Sequence, residues 1–176
     1  MERNREFELV RYPAEILTTP AEEMSFIDFD FLRRLYDFCE EINAFGIAAT
    51  QVGVNARAFV ANIEGSLKCI VNPHILKRGD KTEVMAEGCF SLPGLLVPVE
   101  RPTDVLVSCK FVDVKGQSVQ EREYKFFNMD ARVFQHEYDH IDGKTLFDHL
   151  KPLRRKLYMK KYAKHRKLTK QLEARG

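Results

Sequence analysis

Gln135-His136-Glu137-Tyr138-Asp139-His140 places two histidines four residues apart with a glutamate directly after the first, the HExxH pattern. On a helix that spacing puts both imidazoles one turn apart on the same face, where they can reach one metal ion. Glu137 then sits one step round the helix, close to such a metal without having to bind it. Two neutral nitrogen ligands and a carboxylate able to take a proton from a water on the metal are what metal-assisted hydrolysis requires. The same residue types are also ordinary on a solvated helix face. The flanking residues predict a helix: Met129, Val133, Phe134 and Ile141 offer another face to a core, Asn128 stands where an N-cap belongs, and Gly143 suits the C-terminal end.

Upstream of this helix the pattern is that of strands. Asp104–Val114 alternates on Val105, Val107, Cys109 and Phe111, and Lys115-Gly116 turns it into a second arm, Ser118–Phe127. Earlier strand signals cover Ala56–Ile63 and Lys68–Val71, with a turn near Glu64-Gly65, and Glu83–Glu87 after Gly79-Asp80. Residues 1–24 form an irregular lead-in broken by Tyr12-Pro13 and Thr19-Pro20. From Asp28 or Asp30, Phe31, Leu32, Leu35, Phe38, Cys39 and Ile42 recur at helical spacing, predicting a core-packed helix ending near Asn43. After Pro152 a helical tail runs to about Leu172, with Leu153, Leu157, Leu168 and Leu172 as a thin apolar stripe. The expected fold is α+β: small antiparallel sheets packed around a central HExxH helix, with an N-terminal helix and a basic C-terminal one.

The 176 residues, 44% of them hydrophobic, suit one globular domain with a sizeable core. No apolar run approaches the ~18 residues of a membrane span. The opening Met1–Glu8 mixes acids with bases, unlike a secretory signal or a transit peptide. These features point to a soluble, intracellular protein and away from the membrane. Cys39, Cys69, Cys89 and Cys109 form no CxxC pair, so no disulfide framework is expected. Charge is uneven. From Lys151 onward there are 11 Lys/Arg against one acid, Glu173, a formal +10; the 17 basic and 25 acidic residues before it carry −8. That division suggests a catalytic domain over 1–150 and a basic helical extension over 151–176. A charge run is usually a solvated face, but Tyr158, Tyr162 and His165 interleave aromatics with the cations, and such a helix also suits a phosphate backbone.

A catalytic site needs a third ligand while keeping a position open for water. His74, His149, His165, an acid or a cysteine are the candidates, and Cys89 is the preferred one. It lies in Met85-Ala86-Glu87-Gly88-Cys89-Phe90-Ser91-Leu92-Pro93-Gly94, where Gly88 and Pro93-Gly94 imply a bent backbone, and a thiolate binds Zn²⁺ or Fe²⁺ well. The same thiol also fits a small residue packed beneath a turn. A third stretch, Ala44-Phe45-Gly46-Ile47-Ala48-Ala49-Thr50-Gln51-Val52-Gly53, is rich in small residues that let a backbone come close to a strand or a ligand.

Three of these motifs together resemble one family. Gly46-Ile47-Ala48-Ala49-Thr50-Gln51 is similar to the first motif of the peptide deformylases, Glu87-Gly88-Cys89-Phe90-Ser91 to the second and Gln135–His140 to the third, in the same order and at similar separations. The likeness extends to Tyr12-Pro13 with Leu17, and to Gly143-Lys144-Thr145-Leu146-Phe147. It implies that Cys89, His136 and His140 bind the metal, that Glu137 is general base and then general acid, and that the Gln51 amide and the Phe90 N–H donate to the oxyanion. Gly46 would contact the substrate backbone, with Phe45 and Gly88 beside it, while Glu87, Gln135 and Asp139 would support the ligands. Fe²⁺ would be the native ion, with Zn²⁺ or Ni²⁺ as replacements, and the reaction would release formate from formyl-methionine on a nascent chain. In bacterial deformylases a C-terminal helix docks on the ribosome near the exit tunnel, and this tail is similar in position and charge.

The chain departs from the family at Ala44, where a glycine is usual, at Phe45, where a smaller aliphatic residue is expected, and at Phe90, usually leucine. A backbone donor does not depend on its side chain, so Phe90 keeps its implied role; Phe45 bears on pocket size. Two other readings remain: a metallohydrolase for a different N-acyl group, and an RNA-binding module that retains a structural metal site.

Overall fold

A computed structural model of the chain describes residues 7–174; most of the charged opening, residues 1–6, and the last two residues lie outside that part. The described strands are β1 (Gly46–Ala48), β2 (Ala58–Ile63), β3 (Ser66–Arg78), β4 (Thr82–Glu87), β5 (Val97–Pro102), β6 (Asp104–Asp113) and β7 (Ser118–Phe127). The helices are α1 (Phe29–Glu41), α2 (Asn128–Ile141) and α3 (Pro152–Glu173). All strand pairs are antiparallel. Five strands form one sheet in the order β1-β2-β3-β6-β7, and β4 pairs with β5 in a second.

The large sheet is covered on both faces, and strand alternation decides which residue meets which helix. On β2, Ala58 and Val60 join Leu32, Leu35 and Phe38 of α1, while Phe59, Ala61 and Ile63 join Phe134, Tyr138 and Ile141 of α2. Being buried on both faces makes β2 apolar from Ala58 through Ala61. On β6, Val105, Val107 and Cys109 turn to the α2 side, as their alternation predicts. The helix carrying HExxH is therefore clamped on the sheet through its apolar face. A third cluster, Leu92, Leu95, Val97, Val99, Leu146, Phe147, Leu150 and Tyr162, lies under the small sheet and α3.

Several expectations need correction. The small-residue run contains β1, and Val97–Pro102 is a strand that its two prolines conceal. β3 is much longer than Lys68–Val71. It continues past Asn72 (φ 47°), where the ladder shifts register and the Asn72 side chain bridges the Met24 N–H and carbonyl, each at 2.9 Å. Asp28 does cap α1, accepting from the Phe31 N–H at 2.9 Å. Asn128 does not cap α2: it is the first helical residue, with φ 51°, and its N–H donates to Thr103 at 2.7 Å. The chain passes from β7 into α2 without a loop, which requires a left-handed residue that asparagine tolerates.

The tail differs most. Leu153, Leu157, Leu168 and Leu172 are exposed, and α3 packs instead through the neighbouring face carrying Tyr158 and Tyr162. A tyrosine buries its ring and still offers a hydroxyl, which suits a surface of irregular backbone with carbonyls to satisfy. Among the described residues no helix is long and apolar enough to cross a membrane.

Candidate metal centre and active site

Three segments converge beside α2. The helix supplies His136, Glu137 and His140, the bend after β4 supplies Cys89, and the 3-10 turn after β1, Ala49–Val52, supplies Gln51. One ligand atom each from Cys89, His136 and His140 lie within 4.8 Å of one another, and Cys89 Sγ is 3.2 Å from His140 Nε2. Among the described residues these three are the only such cluster of potential ligands. His74 pairs instead with Glu23 at 2.9 Å, His149 turns to Asp139, and His165 packs at Gly94. Cys39, Cys69 and Cys109 are buried, and burial pushes each thiol up to about 12, so none is a ready thiolate.

The donors suit a divalent first-row metal. Burial alone would raise the Cys89 thiol, but His140 and His136 outweigh it and hold it well below its ordinary value, which favours the ligating thiolate. Burial lowers His136, yet hydrogen bonds with Cys89 and Glu87 lift it to about 10. The anionic partners thus favour positive charge at this point, whether a proton or a metal ion. With Glu87 Oε2 2.9 Å from His136 Nδ1, the proton belongs on Nδ1 and Nε2 is left as the ligand atom. Among the described residues, Glu137 Oε2 and His140 Nδ1 are buried without a hydrogen-bond partner. An orphaned carboxylate oxygen beside three converging ligands has the form of a proton acceptor awaiting a water. Burial raises the Glu137 carboxyl to about 7, although both histidines pull it down.

Gln51 is oriented by its own turn. Its Oε1 accepts the Ala48 N–H at 3.0 Å, so the amide nitrogen must face the centre, 3.4 Å from Cys89 Sγ and 3.2 Å from Ser91 Oγ. Gly46 is required by contact: a Cβ there would lie 2.5 Å from Glu137 Oε1. A cavity of about 200 Å³ opens over these groups, lined by Phe45, Gly46, Gly88, Phe90, Met129 and Val133 among others. Phe45 stands at its lip, 72% exposed. A larger cavity of about 440 Å³, at Leu67, Phe111 and Tyr124, touches none of these residues.

Of the three polar residues expected to support the ligands, Glu87 bonds to His136, one of the two candidate ligand histidines, and the other two turn elsewhere. Gln135 donates to the carbonyls of Pro102 and Ala131. Asp139 accepts from His149 and Arg101, each at 2.7 Å. Both lie one helical step, about 100°, round α2 from the two histidines. The residue that reading missed is Arg101. Its Nε and Nη2 make a two-pronged bond with Glu87 at 2.8 and 2.9 Å, and Nη1 holds Asp139. Arg132 adds a 2.6 Å bond to Glu87. Both had a signal: Arg132 lies one turn before His136, and Val97, Val99 and Arg101 alternate inward on β5.

Residues 7–156 match the family model for polypeptide deformylase. A peptide deformylase of Fusobacterium nucleatum is 35% identical over 173 residues, covering 95% of this chain and 97% of that one. One from Aquifex aeolicus is 37% identical, covering 89% and 95%. The crystal structure of the Ehrlichia chaffeensis peptide deformylase superposes with a TM-score of 0.81 at 26% identity, over 93% of this chain and 98% of that one. With near full-length matches in both sequence and fold, the chain belongs to the peptide deformylases, the metal-dependent hydrolases that remove the N-formyl group from formyl-methionine at the start of nascent polypeptides.

Proposed function

We propose that Cys89, His136 and His140 hold the catalytic metal, that Glu137 carries the proton, and that the Gln51 amide and the Phe90 N–H receive the developing negative charge. The observation that carries this is the buried, unpartnered Glu137 Oε2 beside the three converging ligand atoms. A bound divalent ion supplies Lewis acidity and lowers the pKa of water from ~15.7 toward about 7. Glu137 takes a proton from the attacking water, whose oxygen adds to the formyl carbon. Charge then gathers on the formyl oxygen, to which Gln51 and Phe90 donate. As the C–N bond breaks, Glu137 returns the proton to the amine, leaving formate and a free amino terminus. Gly46 and Gly88 offer backbone close to the substrate, and Phe45 and Met129 line the pocket for the first side chains. Residues 1–150 form the catalytic domain and 151–176 its extension, in a cytoplasmic enzyme.

The first test is formate release from formyl-Met-Ala-Ser by anaerobically purified protein, with acetyl-Met-Ala-Ser beside it and metal assayed on the same sample. Turnover of the formyl peptide alone, with one ion per chain, is expected; equal turnover of the acetyl peptide would assign the pocket to another acyl group. The ion assigned is Fe²⁺, with Zn²⁺ or Ni²⁺ as replacements. That assay settles the metal as well.

Two variants probe the surroundings of the reacting groups. Gln51→Ala is expected to lower kcat by ~10²–10³, the usual cost of one oxyanion donor, with metal content unchanged. Gly46→Ala forces the buried Glu137 carboxylate aside and is expected to lower kcat by about 10², as misplacements near 1 Å do. If Gly46→Ala is fully active, the approach of β1 to Glu137 is looser than its geometry states.

The exposed basic face of α3, with Arg154, Lys156, Lys160, Lys161, Lys164 and Lys167, is assigned to ribosomal RNA near the exit tunnel. Support comes from its charge, which suits a phosphate backbone. Reversing Lys160, Lys161 and Lys164 to Glu should abolish salt-sensitive binding to ribosomes while leaving tripeptide hydrolysis intact; salt-independent binding would sink the assignment.

A further inference from the structure

The helix that carries the basic face also reaches the bend that holds Cys89. Tyr162 is 3% exposed and packs against Tyr12 and Phe147, with ring centroids at 6.1 and 6.2 Å. Its hydroxyl faces two carbonyls, those of Tyr12 at 3.2 Å and Ser91 at 3.4 Å. The Ser91 carbonyl also accepts the Tyr12 N–H at 3.1 Å, and the Ser91 hydroxyl accepts from Gln51. One turn on, Arg166 donates to the Tyr12 carbonyl at 3.2 Å. His165 presses on Gly94 so closely that a Cβ there would lie 2.4 Å from its Nε2.

The segment so gripped lies between β4 and β5 and has no strand ladder of its own. Within it, the Leu92 N–H donates to the Cys89 carbonyl at 3.0 Å, closing a turn. From outside, Arg11 donates to the Phe90 carbonyl, and Tyr12 and Tyr162 meet at the Ser91 carbonyl. Where backbone groups are not fixed by a sheet, their direction follows from such contacts. The direction matters here because the Cys89–Phe90 peptide joins the residue of the proposed ligand thiol to the proposed oxyanion N–H of Phe90, and the turn through Ser91 sets how that peptide faces.

We propose that Tyr162 is a positioning residue for deformylation: its hydroxyl, by holding the Ser91 carbonyl, sets the Cys89–Ser91 turn and so aims the Cys89 thiolate and the Phe90 N–H. The inference rests on the roles given above to Cys89 and Phe90. Tyr162 lies beyond residue 156, where the family match ends, so α3 contributes to the site as well as extending from it.

The test uses the full chain loaded with metal. Tyr162→Phe keeps the ring among Tyr12 and Phe147 and removes only the hydroxyl. It is expected to lower kcat on formyl-Met-Ala-Ser roughly 2- to 10-fold, the equivalent of one neutral hydrogen bond, and to speed loss of the metal to a chelator by a similar factor. KM and Tm should hardly move, and Gln171→Ala, exposed on the far side of α3, should match wild type throughout. A Tyr162→Phe protein with wild-type kcat and wild-type metal release overturns the proposal, as does one in which only Tm falls. Cys89→Ala separates the two levels. If it loses its metal while Tyr162→Phe behaves as wild type, only the brace fails; if it keeps its metal, the roles beneath the brace fail and the proposal with them.

Discussion

Glu137→Gln should retain its metal and lose activity by about 10⁴, the upper end for a group that handles a proton, because the same carboxylate serves as base and then as acid. The replacement keeps the volume and length of the side chain, so the close approach of Gly46 is undisturbed. What it removes is the capacity to accept a proton on the oxygen that is buried without a partner. pH supplies a second signature. Burial, working against the pull of His136 and His140, places the wild-type carboxyl at about 7, and a bound divalent ion would draw it lower. Only the ionised form can act as base, so kcat/KM should fall as pH drops through a value at or below about 7. The residual activity of Glu137→Gln should lack that limb. A variant that keeps more than about a tenth of wild-type kcat would remove Glu137 from proton transfer, since general acid–base groups contribute at least ~10².

How much of this arrangement could be read in advance depended on how local its cause is. HExxH places the proposed ligands and base by helix geometry alone, and the alternation of β6 turned Val105, Val107 and Cys109 to the core as expected. Cys89 was weaker evidence by itself, because a cysteine in a glycine-rich bend fits a packed thiol equally well. What the bend cannot announce is that its outer side is gripped by Tyr162, 71 residues away. The leucines of α3 formed the more obvious stripe and yet face outward, because the helix docks through Tyr158 and Tyr162, and the Tyr162 hydroxyl meets the carbonyls of Tyr12 and Ser91, which a leucine could not satisfy. β5 was hidden by Pro98 and Pro102, residues ordinarily confined to edge positions, and its partner β4 leaves it in a two-stranded sheet where such residues are tolerated. Missing β5 meant missing Arg101, and with it the reason Asp139 and Glu87 are buried as ions.

Arg101 carries the largest predicted effect on stability. It is 3% exposed, and its guanidinium meets Glu87 through two nitrogens and Asp139 through the third. Burial raises both carboxyls, but Glu87 is held below the ordinary range by His136 and Arg101, and Asp139 at about 2 by His149 and Arg101. Arg101→Met keeps most of the apolar stem and strands two buried acids. Glu87 would still have Arg132 and His136, whereas Asp139 would keep only His149. Breaking a buried pair from one side typically costs ~3–5 kcal/mol, which in a chain of this length lowers Tm by about 10–15 °C. The sign of its pH dependence follows from the depressed carboxyl. Asp139 stabilises the wild type above its unfolded pKa of ~3.9, and that contribution is lost as pH falls toward about 2. The variant has less of it to lose, so the gap between the two proteins should be full at pH 7 and should narrow as pH drops below about 4. Arg101→Lys, with one point charge for a planar fork, should fall between them. Metal affinity should weaken by about 10- to 100-fold in Arg101→Met, because Glu87 no longer holds the His136 ring in one orientation. Urea denaturation at pH 7 and pH 3, with metal competition on the same preparations, tests both parts. A loss below about 1 kcal/mol that does not change with pH would show that water reaches these carboxylates and that Arg101 is dispensable to them.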